Sequence, residues 1–435
     1  MRIFKGNFGK DAVLKHVTLD GVRLHLRTDE KKLWINGYYV LYLNNTATFI
    51  IESLIDSCYE TEKEKVFQKT LKKILDKFKV EEEKAEKDLQ QIVGIINSFA
   101  RNEPPTNLVG MKVVTNEILT APNRMDISLT YECNNNCAHC YLPNNKMNTG
   151  LPTEKWKKII DKLWEVGVPQ IVFTGGECTL RPDLVELVEY SKKFLTGIIT
   201  NGTMLQKFAY DLKKAELDWI QITLESPDKK VHDAMQGRKG AFEETIAGIK
   251  ECIKEGLQVS INSTITKKNY KDIKKLIDLA SKLGVKIVST NAIINSGKGI
   301  KAKSKYGITE EKIEKILKSA KDYANKKGIE FNWFLPTCYK KCNPVKLGFG
   351  QRCCSACSIN MMIEPNGNVI PCQSWTHETL GNILEDDWIS IWNHPTAEKL
   401  RNFKFAPDKC SLCKYLAQCG GSCPLEHINK RCRCH

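Results

Sequence analysis

The sequence predicts an α/β protein: a parallel sheet or partial barrel of six strand–helix units, preceded by a small α+β domain and followed by a cysteine-rich module. Three observations carry this. From about Met125, apolar strand-like runs alternate with amphipathic helical stretches. Before that, strand-like alternation gives way to three helical patterns. Twelve of the eighteen cysteines lie at or beyond Cys338, where regular periodicity fades.

In the first region, "HVTLDGVRLHLRTDEKKLWINGYYVLYLN" alternates polar and apolar residues around an Asp-Gly turn, which predicts strands. "NTATFIIESLIDS" opens with capping residues and continues with helical spacing. Two more amphipathic helices follow, over 62–80 and 81–101, and the paired prolines of "NEPPTN" stop the last. Strands followed by three helices fit a winged-helix domain over 1–104, with 105–120 as a linker. In the second region the strand runs are "MDISLTYE", "QIVFTGG", "GIITNGT", "WIQITLE", "LQVSINSTI" and "VKIVSTNAI". Helical patterns between them include Glu154–Val166, Leu184–Phe194, Phe242–Glu255, Tyr270–Leu283 and Glu310–Lys326. In such folds the chemistry gathers in the loops after the strands.

Composition narrows the function classes. Hydrophobic content of 42% with 27% charged residues describes a globular chain with ample core. No run approaches eighteen apolar residues, and "MRIFKGNFGKDAVLKH" lacks a signal-peptide core, so the expectation is a cytoplasmic protein without a membrane partner. The net charge of +15 comes largely from lysines scattered along helical faces, a solvated pattern that does not by itself indicate an acidic partner. In a reducing compartment, clustered cysteines point to metal rather than disulfides.

The densest local cluster is "YECNNNCAHCYLP", with Cys133, Cys137 and Cys140 in one loop after the first strand of the α/β region. Spacing leaves two readings open. A 4Fe–4S cluster held by three thiolates keeps one iron open for a small molecule; a zinc site would be completed by His139 or a distant cysteine. "FTGGECTLRPDL" follows the second strand, "ITNGT" the third, and "QITLES" the fourth.

This CxxxCxxC loop with Tyr141 after it, and a GGE motif behind the next strand, resembles the radical S-adenosylmethionine (radical SAM) superfamily. The resemblance implies a partial (β/α)6 TIM-type barrel core over 121–336. It further implies that the open iron chelates the methionyl amino and carboxylate groups, and that reduction splits the sulfonium to a 5′-deoxyadenosyl radical. By the same resemblance Gly175 and Gly176 let the backbone approach the ligand, Glu177 accepts from the methionyl ammonium, and Tyr141, Thr223 and Asn262 complete the cofactor contacts. Thr223 and Asn262 are equally readable as structural strand ends. Cys178 stands where the family usually has proline, and "TLES" replaces Ser-Leu-Asp-Gly; Cys178 reads as a small buried thiol.

At the far end, "CSINMMIEPNGNVIPC" has CX9GX4C spacing and "CSLCKYLAQCGGSC" has CX2CX5CX3C spacing. Together they resemble the SPASM extension of radical SAM enzymes, here over 337–435, which implies two auxiliary 4Fe–4S clusters and three in all. One would take Cys357, Cys372, Cys423 and Cys354, or Cys353 in its place. The other would take Cys410, Cys413, Cys419 and either Cys432 or Cys434. Two zinc sites fit the same thiols. Cys338 and Cys342 are open between ligand, redox thiol and packing residue; Cys58 and Cys252 read as core.

"LWINGYYVLYLNNTATFIIESLID" resembles the pyrroloquinoline quinone peptide chaperone (PqqD-like) family, which binds a leader peptide as an added strand. The acidic third helix argues against nucleic acid. The leading expectation is an enzyme that modifies a peptide or protein carrying a leader, with ferredoxin or flavodoxin as electron donor. The alternatives are an enzyme acting on a tetrapyrrole or pterin precursor, and a non-enzymatic iron–sulfur or zinc module.

Overall fold

The alternating residues of the N-terminal region form an antiparallel meander in the computed structural model, which describes residues 14–19, 22–29, 31–35, 39–100, 119–142 and 150–428. Its strands are β1 (Leu14–Leu19), β2 (Val22–Arg27), β3 (Lys32–Ile35) and β4 (Tyr39–Tyr42), in that spatial order. Three helices follow: α1 (Asn45–Glu60), α2 (Val66–Phe78) and α3 (Glu82–Ala100). Asn44, one residue before the stretch in which the sequence places the cap, starts α1, its side-chain oxygen accepting from the Ala47 N–H at 2.7 Å. Leu24, Leu26, Leu33 and Ile35 from the sheet pack with Ile50, Ile51, Ile55, Leu71 and Leu89 from the helices in one core, which also takes Cys58. Burial of this apolar set is what holds so short a sheet together.

The chain divides into two compact units: Met1–Ala121 with Ile160–Gln170 and Lys193–Leu195, and the remainder. In the α/β region the strands are β5 (Arg124–Ser128), β6 (Gln170–Thr174), β7 (Leu195–Thr200), β8 (Trp219–Thr223), β9 (Val259–Ile265), β10 (Ile287–Ala292) and β11 (Glu330–Trp333). Helices α4 (Thr153–Glu165), α5 (Leu184–Tyr190), α6 (Leu205–Lys214), α7 (Lys229–Gln236), α8 (Ala241–Lys254), α9 (Ile273–Lys282), α10 (Gly299–Tyr306) and α11 (Glu310–Lys326) separate them. Pairs β7–β8, β8–β9, β9–β10 and β10–β11 are all parallel, the arrangement that strand–helix alternation demands.

The structure adds a seventh strand to the six expected. β11 has only four residues, and its polar Glu330 and Asn332 conceal the apolar pattern. The C-terminal region continues the same sheet on its other side. Strand β12 (Asn360–Ile363) pairs in parallel with β5, followed by the antiparallel β13 (Asn368–Ile370) and β14 (Gly381–Asn382). Two short helices, α12 (Trp388–Trp392) and α13 (Pro395–Arg401), close this part.

Register decides what the strand ends present. Along β8, Ile220 and Ile222 are buried, while Gln221 and Thr223 alternate with them on the other face. Thr223 pairs with Asn262, Asn262 with Ser289, and Thr264 with Asn291. Polar side chains of neighbouring strands thus fall side by side. Among the described residues no helix is long and apolar enough to cross a membrane.

Candidate active site

The three-cysteine loop leaves β5 and is strapped to the C-terminal end of α7. Asn136 N–H donates to Gln236 O at 2.9 Å and Ala138 N–H to Met235 O at 3.3 Å. The Gln236 side-chain oxygen accepts from Asn135 Nδ2 at 2.9 Å and from the Cys137 thiol at 3.2 Å. Arg238 Nε donates to Asn135 Oδ1 at 2.7 Å. On the other side Asn134 bonds Thr203 and Asn201, at 2.9 and 2.8 Å. The "NNN" run therefore consists of fasteners. It fixes a loop that has no regular backbone ladder of its own.

The GGE segment packs against the cysteine loop. A Cβ on Gly176 would lie 2.2 Å from Glu132 O, and one on Gly175 2.2 Å from Thr130 O. The space is filled by the backbone entering the cysteine loop, so these glycines permit close approach of two protein strands. Gly176 N–H donates to Thr130 O at 2.7 Å and Glu177 N–H to Glu132 O at 2.8 Å. Glu177 is 1% exposed. Its carboxylate accepts from Thr179 N–H and Oγ1, from Thr200 Oγ1 and from Asn201 N–H, at 3.1, 2.7, 2.6 and 2.7 Å. Both oxygens are taken, by the turn after β6 and by the end of β7. Cys178 is buried beside it, its thiol 3.6 Å from Ile199 O, and burial pushes it well above the usual thiol range.

One cavity of about 170 Å³ gathers Cys133, Cys137 and Cys140 with Tyr141, Gly175, Gly176, Thr223 and Asn262; Glu177 does not line it. Sequence reasoning passed over Glu225, Gln236 and Asn291, which face the same space. The signal available for Glu225 was its two-residue spacing from Gln221 and Thr223 on β8. Glu225 Oε1 stands 2.9 Å from His139 Nε2, and its other oxygen accepts the Thr264 N–H at 2.7 Å. Tyr141 OH donates to Gln373 Oε1 at 3.1 Å, tying the loop to the residue after Cys372.

The cavity carries unsatisfied polar atoms. Among the described residues Asn262 Oδ1, Asn291 Oδ1 and Gln236 Nε2 are buried without a hydrogen-bond partner. Orphans of this kind cost about 1–3 kcal/mol each unless a ligand or water serves them. Two acceptors and one donor around three thiols fit a group that presents ammonium, hydroxyl and carboxylate functions beside an iron–sulfur cluster.

The C-terminal cysteines fall into two sets. Cys354, Cys357, Cys372 and Cys423 influence one another electrostatically. Burial, reinforced by the neighbouring thiols, pushes Cys357 and Cys423 up to about 12 and holds Cys354 well above its usual range. Burial likewise pushes Cys372 up to about 11. A bound metal reverses that penalty, because it deprotonates a coordinating thiol. The Cys353 thiol lies within electrostatic reach of both Cys354 and Cys419, so it borders this set and the next. Cys410, Cys413 and Cys419 line a second cavity; Cys432 and Cys434 lie outside the described residues. Among the described residues no three His, Cys, Asp or Glu groups converge as tightly as a single metal ion requires.

Comparison with known proteins follows the same division. The Radical SAM superfamily profile matches residues 127–280, and that of an iron–sulfur cluster-binding domain (SPASM) matches 353–419. The antilisterial bacteriocin subtilosin biosynthesis protein AlbA of Bacillus subtilis is 32% identical over 325 residues, covering 71% of this chain and 68% of that protein. Fe-coproporphyrin III synthase of Methanosarcina barkeri is 29% identical over 327 residues, covering 68% and 81%. The crystal structure of Streptococcus suis SuiB bound to precursor peptide SuiA superimposes with a TM-score of 0.64 at 18% identity, covering 96% of this chain and 95% of that one.

Proposed function

The chain belongs to the radical SAM superfamily, carries a SPASM extension and is an enzyme, and from that premise we propose that it modifies a peptide or protein recognised through a leader sequence. The observation that carries this reading is the extent of the likeness to SuiB. It runs over nearly the whole chain and so includes the N-terminal unit, which a small-molecule enzyme has no evident need for. The likeness to a bacteriocin biosynthesis protein supports the same substrate class.

When bound, S-adenosylmethionine on a reduced 4Fe–4S cluster supplies a carbon radical able to take hydrogen from an unactivated C–H bond. The protein's part is to bind, orient and exclude water. Cys133, Cys137 and Cys140 would hold the cluster. Asn262 and Asn291 offer acceptors, Gln236 offers a donor, and Thr223 and Tyr141 flank them. Glu177 acts through its neighbours: by fixing Thr200 and the Asn201 N–H it sets the ends of β6 and β7. The two auxiliary clusters, on Cys354, Cys357, Cys372 and Cys423 and on the Cys410 set, would take electrons onward, with ferredoxin or flavodoxin as the donor at the start.

The leader would add a strand to the N-terminal sheet, whose edges are β1 and β4. Deletion of residues 1–104 is expected to abolish peptide modification while 5′-deoxyadenosine formation from S-adenosylmethionine and dithionite persists. Equal modification by the shortened protein would end the recognition role. A second reading, an enzyme acting on a tetrapyrrole, is favoured by the relative that makes Fe-coproporphyrin III. Incubating the full chain with either a short peptide encoded beside its gene or an iron coproporphyrin separates the two by which substrate changes mass.

A further inference from the structure

The second auxiliary site has three cysteines from one segment, and a fourth thiol from elsewhere faces the same space. Cys338, Cys410, Cys413 and Cys419 line one cavity of about 380 Å³. Cys338 arrives from the loop after β11, more than seventy residues earlier in the chain, so chain proximity does not explain its presence. Its position is fixed by backbone. Lys341 and Cys342 N–H both donate to Cys338 O at 2.9 Å, and Cys338 N–H donates to Glu310 Oε1 at 3.0 Å. The opposing thiols are held equally firmly, Cys413 N–H donating to Cys410 O and Cys419 N–H to Tyr415 O, both at 2.9 Å.

The surroundings suit an anionic occupant. Lys340, Lys341 and Lys409 line the cavity with one carboxylate, Glu311, which pairs with Lys341 at 3.2 Å, so the lining keeps a net positive charge, and an iron–sulfur centre with four thiolates is a concentrated negative charge. The rival reading, that Cys338 and Cys342 form a redox dithiol, meets an obstacle. Cys342 is wholly buried, does not line the cavity, and burial pushes its thiol up to about 12.

We propose that Cys338 is the fourth thiolate of the second auxiliary cluster, in the place that the tail cysteines were expected to fill. This rests on the reading that the chain carries auxiliary iron–sulfur clusters. Its consequence is a cluster clamped between the loop after β11 and the C-terminal module.

The test uses the full-length protein, reconstituted anaerobically, as wild type, Cys338→Ser, Cys338→Asp and the double variant Cys432→Ser/Cys434→Ser. Iron and sulfide per chain and the electron paramagnetic resonance spectrum after dithionite are read together. Bound S-adenosylmethionine in equilibrium dialysis reports that each variant is folded. The wild type should carry about twelve irons, and Cys338→Ser about eight, with one spectral component gone. Cys338→Asp should keep the iron with that component shifted, and the tail double variant should match the wild type. Full iron and an unchanged spectrum in Cys338→Ser and Cys338→Asp, with loss in the tail variant, would overturn the assignment. A wild type with about four irons removes the premise, and this proposal with it, and is told apart because the unsubstituted protein already shows it.

Discussion

Asn262 and Asn291 sit on neighbouring parallel strands, and the tertiary structure leaves the side-chain carbonyl of each without a partner. Replacing either with alanine should weaken S-adenosylmethionine binding about tenfold, the equivalent of one ordinary hydrogen bond, without lowering the melting temperature. Equilibrium dialysis with the reconstituted enzyme checks this. Two buried histidines make a separate residue-scale prediction about pH. Burial, with Arg23 and Lys193 adding to it, holds His16 down to about 3, and burial holds His25 well below its ordinary value. Both are neutral when folded and protonate more readily when unfolded. Their contribution to stability is therefore full above about pH 6.5 and falls as pH drops toward 3. The N-terminal unit should lose several kcal/mol across that window, an order-of-magnitude figure. His16→Phe should flatten the loss in a pH series of chemical melts; an unchanged slope would count against it.

At the scale of elements, the glycines and asparagines around the cysteine loop serve loop geometry. Gly176→Ala would place a methyl 2.2 Å from Glu132 O, a clash against backbone that no side-chain rotation relieves. Gly237, with φ of 65°, would meet Asn136 O at the same distance. Either substitution should cost roughly 2 kcal/mol or more and lower the iron held by the three-cysteine loop. Iron retention equal to wild type in both would contradict the strapping role. This is also where sequence reading was strongest and weakest. Strand–helix alternation marked the six strands β5 to β10 and the helices α4, α5, α8, α9 and α11, because each buries one apolar face at a fixed period, while α6, α7 and α10 were not singled out. It missed β11, too short to show a period, and it did not reveal that the glycines also pack against the Thr130–Glu132 backbone. Glu177 shows the same limit. An acidic residue after two glycines looks available for a ligand, and only the fold reveals four donors already around it.

At the scale of the molecule, the C-terminal module is threaded into the sheet through the β12–β5 pair, yet its later residues have little core of their own. Removing iron with a chelator should leave the β5–β11 sheet intact and expose the 404–428 stretch to protease, since metal binding and folding are one equilibrium there. Mass spectrometry of the fragments reads this directly, and equal protection with and without iron would refute it.

Cysteine spacing, the GGE segment and the alternation of strands and helices determined the family resemblance and the fold class, because local pattern and ligand spacing are written along the chain. What only the tertiary structure decided is which distant groups meet. Glu225 lies across from His139, Cys354 comes within reach of Cys372 and Cys423, and Cys338 stands among cysteines from a remote segment. Those meetings depend on sheet register and loop path. A shift of one residue along a strand reverses the face a side chain presents, and no stretch of sequence read by itself contains that choice.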